Sequence, residues 1–182
     1  MYKDIIKPTL VLIIICVVVA GLLAVTYNVT GIGELGNGLS QDELSDYAPQ
    51  TMPTATKLVF AKVSVENESL LGVYKDEGGA GVAIHIVTKG YGGDLKMLVG
   101  IDNAGAITGI SITESKETPG LGTKATNPNY LSKFIGKTGS VNVQKDGAGD
   151  VDAIGSATIS SKAVGAGVNT AFEMYELVKG EL

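Results

Sequence analysis

Two stretches of this 182-residue chain combine residue types that can hold or attach a ligand. The first is ETPGLGTK, Glu117 to Lys124. Pro119 stiffens this segment and pushes Thr118 toward an extended conformation. Gly120 and Gly122 allow unusual dihedrals and let another body come close to the backbone, while Glu117 and Thr118 add an acceptor and a hydroxyl beside it. Such a loop suits a flat or phosphorylated ligand, and an ordinary long turn is the competing interpretation. The second stretch is DAIGSATISSKAV, Asp152 to Val164. Four hydroxyl side chains, Ser156, Thr158, Ser160 and Ser161, fall within six positions at a predicted helix start. One such hydroxyl is explained as a cap; four are not. A helix N-terminus is also an anion site, because its first N–H groups are free and the dipole is positive there. Main-chain donors, Ser160, Ser161 and the Lys162 cation would together hold a phosphate. The segment lacks the Gly-Lys-Ser/Thr ending of a nucleoside triphosphate loop. It is not a Ser-x-x-Lys site either, since Ile159 stands three positions before Lys162.

The rest of the chain supplies few other reactive groups. There is one cysteine, Cys16, and one histidine, His85. Disulfides, Cys/His zinc sites, cysteine-held iron–sulfur clusters and haem with two protein ligands are therefore excluded, and no metal site is expected. The net charge of -5 argues against nucleic acid as a partner. Residues 10–29, LVLIIICVVVAGLLAVTYNV, carry no charge and are long enough to cross a bilayer. Lys3 and Lys7 precede this run and Glu34, Asp42 and Glu43 follow it, so the positive-inside bias puts the N-terminus in the cytoplasm and the remainder outside the cytoplasmic membrane. A cleaved signal is disfavoured by the length of the run and the lack of a clean A-x-A site.

Three regions are expected: a membrane anchor over 1–30, a polar linker or loose helix over 31–56, and an external domain over 57–182. In the domain, short Val- and Ile-rich segments bounded by turn residues predict strands: KLVFAKVSV, SLLGVYKD, GVAIHIVTKG, DLKMLVGID and AITGISITE. Asn103-Ala104-Gly105 marks a tight hairpin. Helices are predicted near 127–137 and from about Ser160 to Val178, where Val164, Val168, Ala171, Phe172, Tyr175 and Val178 recur at helical spacing. The fold class is α+β, an antiparallel sheet with helices covering one face. His85 alternates with Ile84 and Ile86 and is expected to be a structural or surface histidine on the opposite face.

With anchor, GYGG turn (Gly90 to Gly93), ETPGLG loop and DAIGSAT segment in this order, the chain resembles the FMN-binding domain of membrane flavoproteins. That domain occurs in the G subunit of the Rnf electron-transport complex and in the C subunit of the sodium-translocating NADH:quinone reductase. The resemblance implies a covalent FMN on Thr158 through a phosphoester bond, within a family motif Asp-x-x-Ser/Thr-Gly-Ala-Thr. Asp152 matches its acid, Ala157 its alanine and Thr158 its attachment threonine. Gly155-Ser156 departs from it, standing where the family has Ser/Thr-Gly. Ser160 and Ser161 are the substitute acceptors. The resemblance further implies that Glu117 and Thr118 make polar contacts to the flavin and that Leu121 packs on it, with Gly120, Gly122, Ser156 and Lys162 around it. It implies a flavin transferase for maturation, partner subunits in a membrane-bound ferredoxin:NAD+ oxidoreductase that translocates ions, contact with membrane lipid, and no catalysis by this polypeptide alone. The short external domain favours the Rnf type over the quinone reductase type.

Two functions of other classes compete. A hydrolase would use a Ser-Lys pair drawn from Ser160, Ser161 and Lys162, although neighbours on a helix point in different directions. A non-redox binding module would use the hydroxyls only as caps.

Overall fold

The computed structural model describes residues 2–30, 38–65 and 67–181. The chain divides into two compact units, residues 1–36 and 37–182. Of the expected linker, residues 31–37 lie outside the described residues, Glu34 among them.

The first unit contains helix α1 (Tyr2–Thr30). Its window Thr9–Thr26 has a mean hydropathy of 3.0 and none of it is buried within the protein, so the helix is long and apolar enough to cross a membrane. Cys16 is exposed on it.

The second unit is built on a five-stranded antiparallel sheet of consecutive neighbours. The strands are β1 (Leu58–Phe60), β2 (Leu70–Asp76), β3 (Gly81–Lys89), β4 (Asp94–Asp102) and β5 (Ile107–Ser115). Each falls within one of the five predicted segments or extends it by a residue. The β4–β5 hairpin closes where Asn103-Ala104-Gly105 predicts it. Gly105 takes φ +78°, and the Asp102 carboxylate accepts from the Ala104 and Ala106 N–H groups at 2.9 Å.

Helices cover both faces of this sheet rather than one. On one face lies α4 (Thr158–Val178), which buries Val164, Val168, Ala171 and Phe172 against Ile84 and Ile86 of β3 and Met97 and Val99 of β4. Its approach is close: a Cβ on Gly167 would meet the Ile86 Cδ1 at 2.8 Å and the Met97 Sδ at 2.9 Å. On the other face lies α2 (Gln41–Thr51), inside the segment read as a linker or loose helix. Ser40 and Glu43 form a reciprocal capping box at its start. Leu44 and Met52 then bury a second cluster with Tyr74, Ala83 and Leu98. A polar segment joins the fold here because a few apolar residues at helical spacing suffice once a sheet face is available to receive them.

The β4–β5 pair leaves a glycine trough for this helix, with Gly100 opposite Gly109. A Cβ on Gly109 would stand 2.0 Å from the Gln50 carbonyl oxygen and 2.8 Å from that of Thr51. Both obstacles are backbone, so Gly109→Ala must lift the end of α2 and strain the hydrogen bond from Thr108 Oγ1 to the Thr51 carbonyl. The expected cost is about 2–3 kcal/mol, read as a lower denaturation midpoint with an unchanged denaturant slope.

His85 points away from Ile84 and Ile86, as the alternation requires, and is 2% exposed. Its Nε2 pairs with Thr113 Oγ1 at 2.9 Å. Burial holds the imidazole down to about 4 from 6.5, aided by the Lys96 cation and opposed by Glu43. The folded pKa lies below the unfolded one, so the unfolded chain binds the extra proton. The neutral ring therefore stabilises the fold above pH 6.5, and this is lost as pH falls toward 4. Between about pH 7 and about pH 5 this group alone removes about 2 kcal/mol. Denaturant titrations at the two pH values check it; His85→Gln is expected to flatten the dependence, and equal slopes in both proteins would refute the assignment.

Two small elements complete the unit. A short helix α3 (Pro128–Leu131), capped by Asn127 and continued by a 3-10 turn, stands in the predicted 127–137 region. Strands β6 (Val143–Gln144) and β7 (Val151–Asp152) form a parallel pair just before the DAIGSAT turn.

Candidate functional site

Three chain segments meet at one end of the sheet. They are the β3–β4 turn Gly90–Gly93, the loop leaving β5 from Lys116 to Lys124, and the turn that opens α4. Their junction is the Glu117 carboxylate, which is 6% exposed. Its Oε1 accepts from the Tyr91 N–H at 2.8 Å, and its Oε2 accepts from the Ser160 hydroxyl at 2.9 Å. The two bonds span 26 and 43 residues of sequence. Glycines make room for this acid: a Cβ on Gly90 would lie 2.0 Å from Oε1 and one on Gly122 2.0 Å from Oε2. Both oxygens of Glu117 are thus engaged by the protein itself. Gly120 takes φ +75° at the tip of the loop, and its N–H donates to Thr123 Oγ1 at 2.9 Å.

The opening of α4 is unusual in its capping. A 3-10 turn, Gly155–Ala157, precedes the helix, and the N-cap position is Ala157, which offers no side-chain acceptor. A 21-residue helix therefore presents its first N–H groups uncapped by side chains. None of the four hydroxyls caps it. Ser160 and Ser161 are 1% and 0% exposed. Ser160 is spent on Glu117, and the Ser161 hydroxyl accepts from the Ile154 N–H at 3.1 Å. Ser156 is exposed and accepts from Lys124 Nζ at 3.3 Å. Thr158 is half-buried, and its Oγ1 donates over long distances to the carbonyls of Ile154, 3.3 Å, and Gly155, 3.4 Å. Burial pushes the pKa of the nearby Tyr130 phenol up.

Between the three segments lies a cleft of about 330 Å³, lined by Tyr91, Thr118, Leu121, Gly122 and the run Gly155 to Ser160. This is the lower end of the usual range for small-molecule pockets, about 300–1,000 Å³. Outside α1, the exposed large apolar side chains among the described residues are Tyr91, Leu121, Ile135, Ile159 and Leu177. Tyr91, Leu121 and Ile159 all border this cleft. The cleft thus combines apolar side chains with a hydroxyl at an uncapped helix start, and Lys124 bonds Ser156 on its lining.

The predicted site residues separate into groups. Thr118, Leu121, Gly122, Ser156, Ala157, Thr158 and Ser160 line the cleft. Glu117 lies behind its wall, with Ser161 buried deeper and Gly120 at the loop tip. Asp152 is exposed, and its carboxylate accepts from the Gly147 N–H at 2.8 Å, closing the preceding turn. Lys162 is exposed and lines a neighbouring groove with Glu68, Lys89 and Asp94. Tyr91 and Ile159 were missed. Tyr91 sits between glycines in a turn, the usual setting of a solvent-exposed side chain, and its nearness to Thr158 has no sequence signal. The Gly155-Ser156 order has little conformational consequence. Neither residue has a positive φ, and a Cβ on Gly155 would meet nothing within 4 Å.

Residues 90–173 match the FMN-binding domain family, and this range contains all three segments that form the cleft. Over 194 residues the chain is 34% identical to the G subunit of the Na+-translocating ferredoxin:NAD+ oxidoreductase complex of Acetobacterium woodii, covering 96% of this chain and 93% of that one. The chain belongs to the G-subunit family of ion-translocating oxidoreductases. Another member of this family, from Methanosarcina acetivorans, is 29% identical and covers 98% of both chains. The crystal structure of the C subunit of the Na+-translocating NADH-quinone reductase from Parabacteroides distasonis shares the fold, with a TM-score of 0.51 at 20% identity over 76% of this chain and 83% of that one.

The cleft fits the cofactor of its family. FMN has an anionic phosphate and a flat, largely apolar ring system. The uncapped start of α4 and Lys124 suit the first, and Tyr91, Leu121 and Ile159 suit the second.

Proposed function

We propose that this chain is the covalent-FMN electron carrier of an Rnf-type, ion-translocating ferredoxin:NAD+ oxidoreductase, with FMN esterified through its phosphate to Thr158. The observation that carries this reading is the contrast among the four hydroxyls. Ser160 and Ser161 are buried and committed to Glu117 and the Ile154 N–H. Thr158 lines the cleft and has only bonds of 3.3 and 3.4 Å to exchange. Membership of the G-subunit family supports the assignment of partners, the other subunits of the complex.

Among the described residues, Thr158 Oγ1 bonds two backbone carbonyls and no base. The single histidine is held by Thr113 in the cluster beneath α2. Esterification therefore needs an external flavin transferase and a flavin nucleotide activated at its phosphate. The Thr158 oxygen bonds the FMN phosphorus as the bond from that phosphorus to the activating phosphate breaks, and the hydroxyl proton leaves with the displaced phosphate. FMN supplies the reversible uptake of electrons; the chain binds it, orients it and shields one side from water. A tether suits a cleft of this size, because it replaces dissociation with a high local concentration. Helix α1 would anchor the chain in lipid, with Lys3 and Lys7 on the cytoplasmic side and residues 57–182 outside.

The hydrolase reading loses support from the burial of Ser160 and Ser161 and from the exposure of Lys162 on a different groove. Intact mass and in-gel flavin fluorescence test the proposal, on the chain purified from its own host beside Thr158→Val. A single FMN adduct restricted to the native protein is the expected result, and a native protein without adduct would refute it.

A further inference from the structure

We propose that Tyr91 forms the aromatic wall of the site, with its phenol ring lying against the isoalloxazine ring of FMN, and that Glu117 is the positioning residue that holds it there. The proposal rests on the reading of this cleft as the FMN site and adds a residue for the ring.

Tyr91 is 71% exposed, more than any other large apolar side chain outside α1 among the described residues. Exposure of that kind is ordinary on a mobile tip, but this turn is held at several points. The Tyr91 N–H is fixed by the buried Glu117 carboxylate at 2.8 Å, and the Gly90 N–H donates to the Gly93 carbonyl at 2.8 Å. A Cβ on Gly92 would lie 2.2 Å from the Lys116 carbonyl, so this turn packs directly on the loop leaving β5. A buried carboxylate thus pins the backbone of a residue whose ring is left in solvent. Leu121, 51% exposed, and Ile159, 56% exposed, border the same cleft from the other two segments. Among the described residues, Tyr91 is the one aromatic residue lining it. A flat ring system gains most from contact with an aromatic face flanked by aliphatic side chains. The same carboxylate bonds Ser160, two residues after Thr158, and so couples the ring wall to the attachment turn.

An electron-rich phenol in contact with an excited flavin quenches its emission, whereas a phenyl ring or a leucine does not. The test compares the full chain with Tyr91→Phe and Tyr91→Leu, each flavinylated in its membrane and extracted in detergent. Adduct mass and fluorescence per flavin are read in parallel. The expected result is a severalfold rise in fluorescence yield and lifetime per bound flavin in both variants, whatever the extent of flavinylation. Tyr91→Phe is also expected to keep the native flavin absorption band, and Tyr91→Leu to shift it. An intact adduct with unchanged fluorescence in Tyr91→Phe would overturn the proposal. If native protein carries no adduct, the tether reading falls instead, and titration of free FMN into the same full chain decides the ring contact. Quenching in native protein and not in Tyr91→Phe supports it, and equal quenching in both overturns it.

Discussion

Thr158→Val is expected to abolish the FMN adduct outright, leaving a folded chain of apo mass. Valine is close to isosteric with threonine, so the change removes the nucleophilic oxygen with little alteration of shape. The lost hydrogen bonds, to the Ile154 and Gly155 carbonyls, are long, at 3.3 and 3.4 Å. They contribute little to the turn, and the expected stability change stays below about 1 kcal/mol. Modification should not move to Ser160 or Ser161, which are 1% and 0% exposed and whose hydroxyls already serve Glu117 and the Ile154 N–H. Among the four hydroxyls of this turn, Ser156 is the reachable one that remains, since it is exposed. An adduct on Thr158→Val that disappears in Thr158→Val/Ser156→Ala would transfer the attachment to Ser156. Thr158→Ser keeps the oxygen and should retain part of the labelling. Intact mass after purification from the native host reads all four proteins.

Glu117→Ala is expected to cost about 3–5 kcal/mol and to dismantle the cleft as well. The substitution deletes one acceptor that serves two donors, and each is left without its charged partner at a cost of about 1–3 kcal/mol. It also empties the space that Gly90 and Gly122 leave for the carboxylate, where added Cβ atoms would come within 2.0 Å of its oxygens. Denaturant unfolding reads the loss of stability. Limited proteolysis is expected to cut first near Tyr91 and Leu121, because the link between the β3–β4 turn and α4 is gone. Glu117→Gln keeps the shape and one acceptor oxygen, so it should lose less than half as much. A near-native midpoint for Glu117→Ala would mean that the three segments are held together by other contacts.

Much of the architecture was legible because it is local. The Val- and Ile-rich runs of β2 to β5 alternate with turn residues at short intervals, and Asn103-Ala104-Gly105 carries its own hairpin chemistry through the Asp102 carboxylate and a left-handed Gly105. The buried stripe of α4 follows from its spacing, and His85 faces away from Ile84 and Ile86 because strand neighbours must. Helix α2 was less legible. Its pattern is weak, with only Leu44 and Thr51 buried within it, and its place is set by the trough at Gly100 and Gly109 rather than by its own composition.

Residues close together in the chain specify strands β1 to β5, the buried stripe of α4, the apolar N-terminal helix and the two stretches that carry the site. Tertiary structure alone decided the use of each hydroxyl. Ser156, Thr158, Ser160 and Ser161 look equivalent in a row, yet the α4 turn exposes the first, leaves the second in the cleft and buries the other two. It also decided that Glu117 bonds protein donors 26 residues before it and 43 after it, and that Tyr91 and Thr158 line one cleft. The physical reason is common to both. An antiparallel sheet brings the β3–β4 turn beside the exit of β5, and a helix packed across its face starts at that same end. Residues far apart in sequence therefore share one cleft, and no local pattern of residue types encodes such a meeting.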